Sequence, residues 1–184
     1  MQIKTLLGSL SLDNQQRNII ETTISNFEKF VQPLLASFSQ GILHGDIGLQ
    51  NVVQNRGSRT AYGIIDFGDC MHNCHIFELA TLIHGFLSRG DLKQEIRATS
   101  PLVGGYNCAF PLSSEELGCL YYIVLARMCV AAVATELNLQ VDPGNGYLRE
   151  VVQRSWTAAQ VLFKHPKQKV DKLWTDAIRE TTKL

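Results

Sequence analysis

The residues with the clearest capacity for chemistry are His44-Gly45-Asp46, then Asn51 five positions after the aspartate, then Ile65-Asp66-Phe67-Gly68-Asp69. Each piece alone is weak, since an aspartate after an apolar run is commonly a turn residue. In this order they supply what phosphoryl transfer requires: a carboxylate at the acceptor hydroxyl, and an amide and a carboxylate converging on Mg²⁺. Asp46 would hold the attacking hydroxyl in line and take its proton as the new bond forms. Asn51 and Asp66 offer hard oxygen ligands, enough for a metal that keeps waters and phosphate oxygens in its other places. His44 and Gly45 serve the backbone, the histidine by hydrogen bonding across the loop and the glycine by allowing a conformation that a side chain forbids. Asp69 has two readings, orienting the substrate or steadying the loop.

These groups need elements to hold them. Residues 42–46 read as a short apolar approach to a loop, and residues 51–54 and 62–67 as two strands of a hairpin joined by a polar stretch. Ladder hydrogen bonds would hold Asn51 and Asp66 in a constant relation, the preorganisation that electrostatic catalysis depends on. An irregular segment follows Asp69. Apolar positions three and four apart predict a helix over 13–38, capped by Asp13 or Asn14 and disturbed by Pro33 near its end. A strongly apolar helix is expected over 75–89. A capping box of Ser113 and Glu116 opens a helix to about Leu137. Two further helices are expected over 147–163 and 167–181. The fold class is α+β, mainly helical, with one small β-hairpin at the active site, and residues 1–184 form a single domain.

Composition narrows the partners. The 17 basic and 17 acidic residues balance, so net charge creates no long-range attraction toward nucleic acid or anionic lipid. A small-molecule or protein partner is expected, with neither nucleic acid nor membrane. Five scattered cysteines suit reduced, buried thiols. Residues 1–11 are too short and polar for a signal peptide, no run approaches a membrane span, and the cytoplasm is the expected location.

Several residues have ordinary structural readings. Cys70, His72, Cys74 and His75 match no common zinc spacing and read as loop and helix-start residues. His84 reads as a satisfied core histidine, and Trp156 and Trp174 as packing residues. Arg127, inside an apolar helix, reads as a buried ion-pair member, with Glu136 or a carboxylate of another helix as partner.

The block from Ile42 through Ala80, including LHGDIGLQNVV and YGIIDFGDCMHNCHIFELA, resembles the catalytic region of the aminoglycoside phosphotransferase family, relatives of the protein kinases. The resemblance implies the C-terminal lobe of a protein-kinase-like fold, with Asp46 as catalytic aspartate and Asn51 and Asp66 as metal ligands. It places Glu78 where the family has an acidic residue that supports the loop from a helix. It further implies a kinase that uses Mg²⁺ and transfers the γ-phosphate of GTP to 5-hydroxy-L-lysine. Two features depart from the family pattern. Gly48 stands where a polar side chain is common, and the roughly forty residues before the HGD loop read as helix, with Lys4 in no strand context and no Gly-rich phosphate loop. The expectation is a truncated form lacking the nucleotide-binding lobe; the alternative is a non-catalytic lone lobe acting as a binding or regulatory protein.

Overall fold

A computed structural model describes residues 7–57, 60, 62–89 and 96–183. Lys4 lies outside the described residues, as do residues 58, 59 and 61 of the hairpin connection. The first helix, α1 (Asn14–Asn26), starts at a complete capping box in which the Gln16 N–H donates to Asp13 Oδ1 at 2.7 Å and the Asp13 N–H donates to Gln16 Oε1 at 2.9 Å. The regular helix stops well before residue 38. It widens into a π-helical turn over Phe27–Val31 and tightens into a 3₁₀ turn over Gln32–Ser37, with Pro33 at the start of the latter. Proline has no N–H for the carbonyl four residues back and its ring collides with it, so the chain changes its winding there.

Strand β1 (Gln40–Leu43) follows, then a 3₁₀ turn at Leu49–Asn51, β2 (Val52–Gln54), β3 (Tyr62–Ile64), a 3₁₀ turn at Phe67–Asp69, and β4 (Met71–Cys74). The expected hairpin is β2 against β3, antiparallel, with Val52 opposite Ile64 and Gln54 opposite Tyr62. The structure adds a second antiparallel pair, β1 with β4, in which Gln40 faces Cys74 and Leu43 faces Met71. Both of its strands fall where the sequence reads as loop approach or irregular segment. Exposed Ile42 and Met71 and polar His72 and Asn73 blur the alternation that marks a half-buried strand.

Five helices complete the described chain: α2 (His75–Leu87), α3 (Ser100–Ala109), α4 (Ser114–Val141), α5 (Gly146–Lys164) and α6 (Lys167–Thr181). Helix α3 carries no amphipathic signature and contains Pro101, Gly104 and Gly105, which hides it from a periodicity reading. Gly104 is where α6 comes closest: a Cβ there would lie 2.3 Å from Thr181 Oγ1 and 3.1 Å from the Ala177 carbonyl oxygen.

Helix α4 is the spine, packing on α5, α2, α1 and α6. It corrects one expectation, being long and apolar enough to cross a membrane. Most of its apolar side chains are engaged inside the protein, Val130 and Val141 being exposed: Leu120, Val124, Met128, Cys129 and Ala132 are fully buried in one core with Ile19 and Ile20 of α1, Leu79 and Ile83 of α2, Leu162 of α5 and Trp174 of α6. Trp156 and Trp174 are packing residues, and the Trp174 indole N–H donates to Thr99 Oγ1 at 2.8 Å. Of the cysteines, Cys74, Cys119 and Cys129 are buried, whereas Cys70 and Cys108 are exposed, against the expectation that all are interior.

Glu116, 3% exposed, connects the spine to the sheet. Its Oε2 accepts the Ser113 N–H at 2.8 Å, completing the capping box, and its Oε1 accepts the Ser39 N–H at 3.0 Å, just ahead of β1. Replacing Glu116 with alanine removes the shared acceptor of two half-shielded backbone donors and is expected to lower stability by about 1–2 kcal/mol. Urea unfolding of Glu116→Ala beside Ser113→Ala checks this, with the larger loss in the glutamate variant.

Candidate active site

The loop after β1 is held from below by α2. Glu78, in the first turn of that helix, accepts the His44 N–H at Oε1 (2.8 Å) and the Gly45 N–H at Oε2 (3.0 Å). One carboxylate thus satisfies two consecutive backbone donors, and its charge sits favourably at a helix N-terminus. Gly45 turns the chain with φ of 84°, and a Cβ there would lie 2.3 Å from the Asp69 carbonyl oxygen, so the position is closed to a side chain by torsion and by contact.

His44 clasps the loop from its other side. Nε2 lies 2.9 Å from the Ile65 carbonyl oxygen, which can only accept, so Nε2 carries the hydrogen and Nδ1 offers its lone pair to the Asp46 N–H at 3.4 Å. Both ring nitrogens are engaged with backbone, and the ring packs against Phe67 at 5.0 Å between centroids.

Asp46 projects from this loop between two side chains. Asn51, 6% exposed, donates from Nδ2 to the Asp46 carbonyl oxygen at 2.9 Å and to Asp46 Oδ2 at 3.3 Å. On the other side, Arg127 Nη2 of α4 stands 3.7 Å from Asp46 Oδ1. The arginine is aimed by its Nε, which donates to Thr81 Oγ1 at 3.2 Å; that hydroxyl in turn donates to the Phe77 carbonyl at 3.0 Å. Burial lowers the Arg127 pKa, and the negative charges of Asp46 and then Asp69 work against that shift. The partner is therefore Asp46 of the loop, in place of the expected Glu136 or carboxylate of another helix. Glu136 lies nine positions along the same helix, about 13 Å away and on its opposite face, whereas Asp46 reaches Arg127 only through the fold.

Asn51 and Asp66 meet at the end of the β2–β3 ladder. The Ile65 N–H donates to the Asn51 carbonyl at 3.0 Å, extending the ladder by one step, and Asp66 follows at once. Asp66 is exposed and sits in the left-handed region at φ 67°, unusual for a residue with a side chain. The amide nitrogen of Asn51 is taken up by Asp46, which leaves its Oδ1 as the face available to a cation. A neutral amide oxygen and an exposed carboxylate fit Mg²⁺ as a donor set. Among the described residues no group of three or more His, Cys, Asp or Glu side chains is placed to hold a metal by itself, so this pair depends on phosphate and water oxygens for the rest of a coordination shell. Asp69 is exposed and turns its backbone oxygen toward Gly45. Gly48, the departure from the family pattern, is buried beside Gly85 of α2.

A cleft of about 780 Å³ opens beside Asp46, between the loop, α2, α4 and α5. His84 lies in its wall, with Ser155 Oγ 3.4 Å from Nε2. Burial, and then the charge of Arg127, push the His84 pKa down to about 3, so the ring is neutral at physiological pH.

A family model described as the phosphotransferase enzyme family matches residues 5–103, more than half of the chain. The chain belongs to this family. Similar proteins include the hydroxylysine kinases of Xenopus laevis (29% identical, over 88% of this chain and 45% of the relative), Mus musculus (25%, over 96% and 48%) and Bos taurus (27%, over 90% and 46%). The phosphotransferase-family chain thus spans about half the length of the curated relatives it matches. Among solved structures, amicoumacin kinase hAmiN in complex with AMP-PNP, Ca2+ and Ami has a similar fold, at TM-score 0.58 and 16% identity over 88% of this chain and 49% of that one. The fold is that of the C-terminal lobe of a protein-kinase-like aminoglycoside phosphotransferase.

Two outcomes are expected from this geometry. Glu78→Ala leaves the His44 and Gly45 amides without their acceptor, at about 1–3 kcal/mol for each donor that water does not reach. Faster hydrogen exchange at these two amides, ahead of α4, is the NMR signature. His84 has a folded-state pKa of about 3 against its ordinary 6.5. In the window between those values the unfolded chain takes up a proton that the folded chain refuses, so stability is fully present above 6.5 and falls as pH falls. Urea midpoints at several pH values in that window should decline less steeply for His84→Gln than for the parent.

Proposed function

We propose that this chain is the catalytic, metal-binding half of a small-molecule kinase that transfers the γ-phosphoryl group of GTP to the hydroxyl of 5-hydroxy-L-lysine. The observation that carries this reading is the Asp46 carboxylate, held between Asn51 and Arg127 on a loop pinned by Glu78, with Asn51 and Asp66 adjoining at the strand ends. The choice of acceptor is supported by the relatives named hydroxylysine kinase, and the choice of GTP by the resemblance of the motif region.

Asp46 accepts a hydrogen bond from the acceptor hydroxyl and so aims its lone pair along the line of attack. As the oxygen–phosphorus bond forms and the bond to the nucleoside diphosphate breaks, the hydroxyl proton passes to the Asp46 carboxylate. Asn51 and Arg127 keep that carboxylate from rotating away, since each addresses a different oxygen. Asn51 Oδ1 and the Asp66 carboxylate would hold Mg²⁺, which when bound neutralises charge on the phosphates. His44 and Glu78 act through the backbone: they shape the loop and touch no reacting atom.

A second reading, a non-catalytic lobe that binds a partner, draws on the exposed apolar side chains of Ile42, Tyr62, Ile64 and Phe67 along the two strand pairs. The discriminating measurement is GTP consumption with 5-hydroxy-L-lysine and Mg²⁺, using this chain alone and in a form extended upstream, with phosphorylated product followed by ³¹P NMR. Asp66→Asn is expected to abolish turnover, and Asp46→Asn to lower it by about 10²–10⁴-fold, with thermal midpoints near the parent's. Parent-like turnover in Asp66→Asn removes that residue from the metal site, and no turnover in either form of the parent favours the partner-binding reading.

A further inference from the structure

Among the described residues that line the cleft beside Asp46, arginines outnumber carboxylates. Asp46 is the one carboxylate among the described residues that line it; Asp66, Asp69 and Glu78 lie elsewhere. Three arginines line it, Arg89 from the end of α2, Arg127 from α4 and Arg154 from α5, and His84 contributes no charge because its ring is neutral. Asp46 offsets Arg127 and Glu150, just outside the lining, offsets Arg154, so what favours an anion here is spare guanidinium donors in a recess of reduced polarity rather than a net charge.

The arginines differ in what remains for a ligand. Arg127 is committed through Nε to Thr81 and through Nη2 to Asp46. Arg154 lies on an exposed turn of α5 and pairs through Nη2 with Glu150 one helical turn back. Guanidinium has five N–H donors in a planar fork matched to carboxylate, so this single partner leaves most of them for a ligand. Ser88 adds an independent sign: its Oγ is buried, lines the cleft and has no hydrogen-bond partner among the described residues. A buried hydroxyl without a partner is costly unless a ligand or water completes it.

We propose that this cleft selects an acceptor by a carboxylate, with Arg154 as its anchor and Ser88 as an accompanying donor, so that the hydroxyl to be phosphorylated lies inward at Asp46 and the carboxylate lies outward at α5. The inference rests on the kinase reading for the role of Asp46. It adds orientation and specificity: an amino acid enters with its side chain toward the loop, and the matching amine without the carboxylate is a poor ligand.

The test is calorimetric titration of the intact chain, without nucleotide, with 5-hydroxy-L-lysine and with its decarboxylated counterpart 1,5-diaminopentan-2-ol. The parent is expected to bind the amino acid at least about 10-fold more tightly than the diamine, in keeping with a charge-assisted bidentate contact. Arg154→Gln should erase that preference by weakening the amino acid alone, and the exposed Arg154 pair makes loss of fold an implausible cause, to be verified by circular dichroism. Ser88→Ala should reduce the preference by a smaller factor. Equal affinities in the parent, a full preference in Arg154→Gln, or no saturable binding of the amino acid overturns the proposal. The titration, which needs no nucleotide, and the GTP assay above read the two ideas separately: preference in the first without turnover in the second removes the kinase reading and keeps the anchor, and turnover without preference does the reverse.

Discussion

The loop that carries Asp46 depends on one carboxylate, that of Glu78, accepting two consecutive backbone N–H groups from His44 and Gly45. A loop that reverses direction beneath an active site has donors that no strand or helix satisfies, and leaving them buried and unpaired is costly. Placing a carboxylate at a helix start resolves this and orients the loop relative to α2. Gly45 can then take its left-handed torsion against the Asp69 backbone, His44 can reach the Ile65 carbonyl, and Asp46 emerges with its oxygens addressed by Asn51 and Arg127.

A matching arrangement lies at the other end of β1. Glu116 accepts the Ser39 N–H before the strand begins, while Glu78 accepts the N–H groups just after it ends. The short strand, whose ladder partner among the described residues is β4, is thus tied at both ends to helix starts in the core, α4 at one and α2 at the other. Two-stranded pairs are weak alone, so the precision of the loop comes from these buried charge-assisted bonds more than from the sheet.

Helix α4 has two roles that conflict in composition. As the spine it must be apolar, and it is so apolar that its length and hydropathy fit a membrane span. It also delivers Arg127 to Asp46, and a guanidinium in such a setting needs partners. Thr81 and Asp46 supply them, and the same positive charge helps keep His84 neutral one layer away. The electrostatics of loop and cleft are therefore joined through a single side chain of the spine.

What was legible in the sequence was local. The Ser113–Glu116 capping box, a cap at Asp13 or Asn14, the helices from Ser114 onward and the β2–β3 hairpin depend on neighbours a few residues apart, the nomination of Asp46, Asn51 and Asp66 depends on a short motif, and such relations survive in one dimension. The pairing of β1 with β4, the change of winding at Phe27, helix α3 and the Arg127–Asp46 contact were not legible there. The strands β1 and β4 have blurred alternation, α3 is rich in residues that disfavour helices, and no carboxylate within a helical turn of Arg127 points to its partner. In each case the deciding interaction joins residues far apart in the chain: Asp46 meets Arg127 only after α2 and α4 have packed on one another. The residue types suited to phosphoryl transfer were written in the sequence, but the arginines that share a cleft with Asp46 were brought there by packing, because no local pattern says which charges will share a cleft.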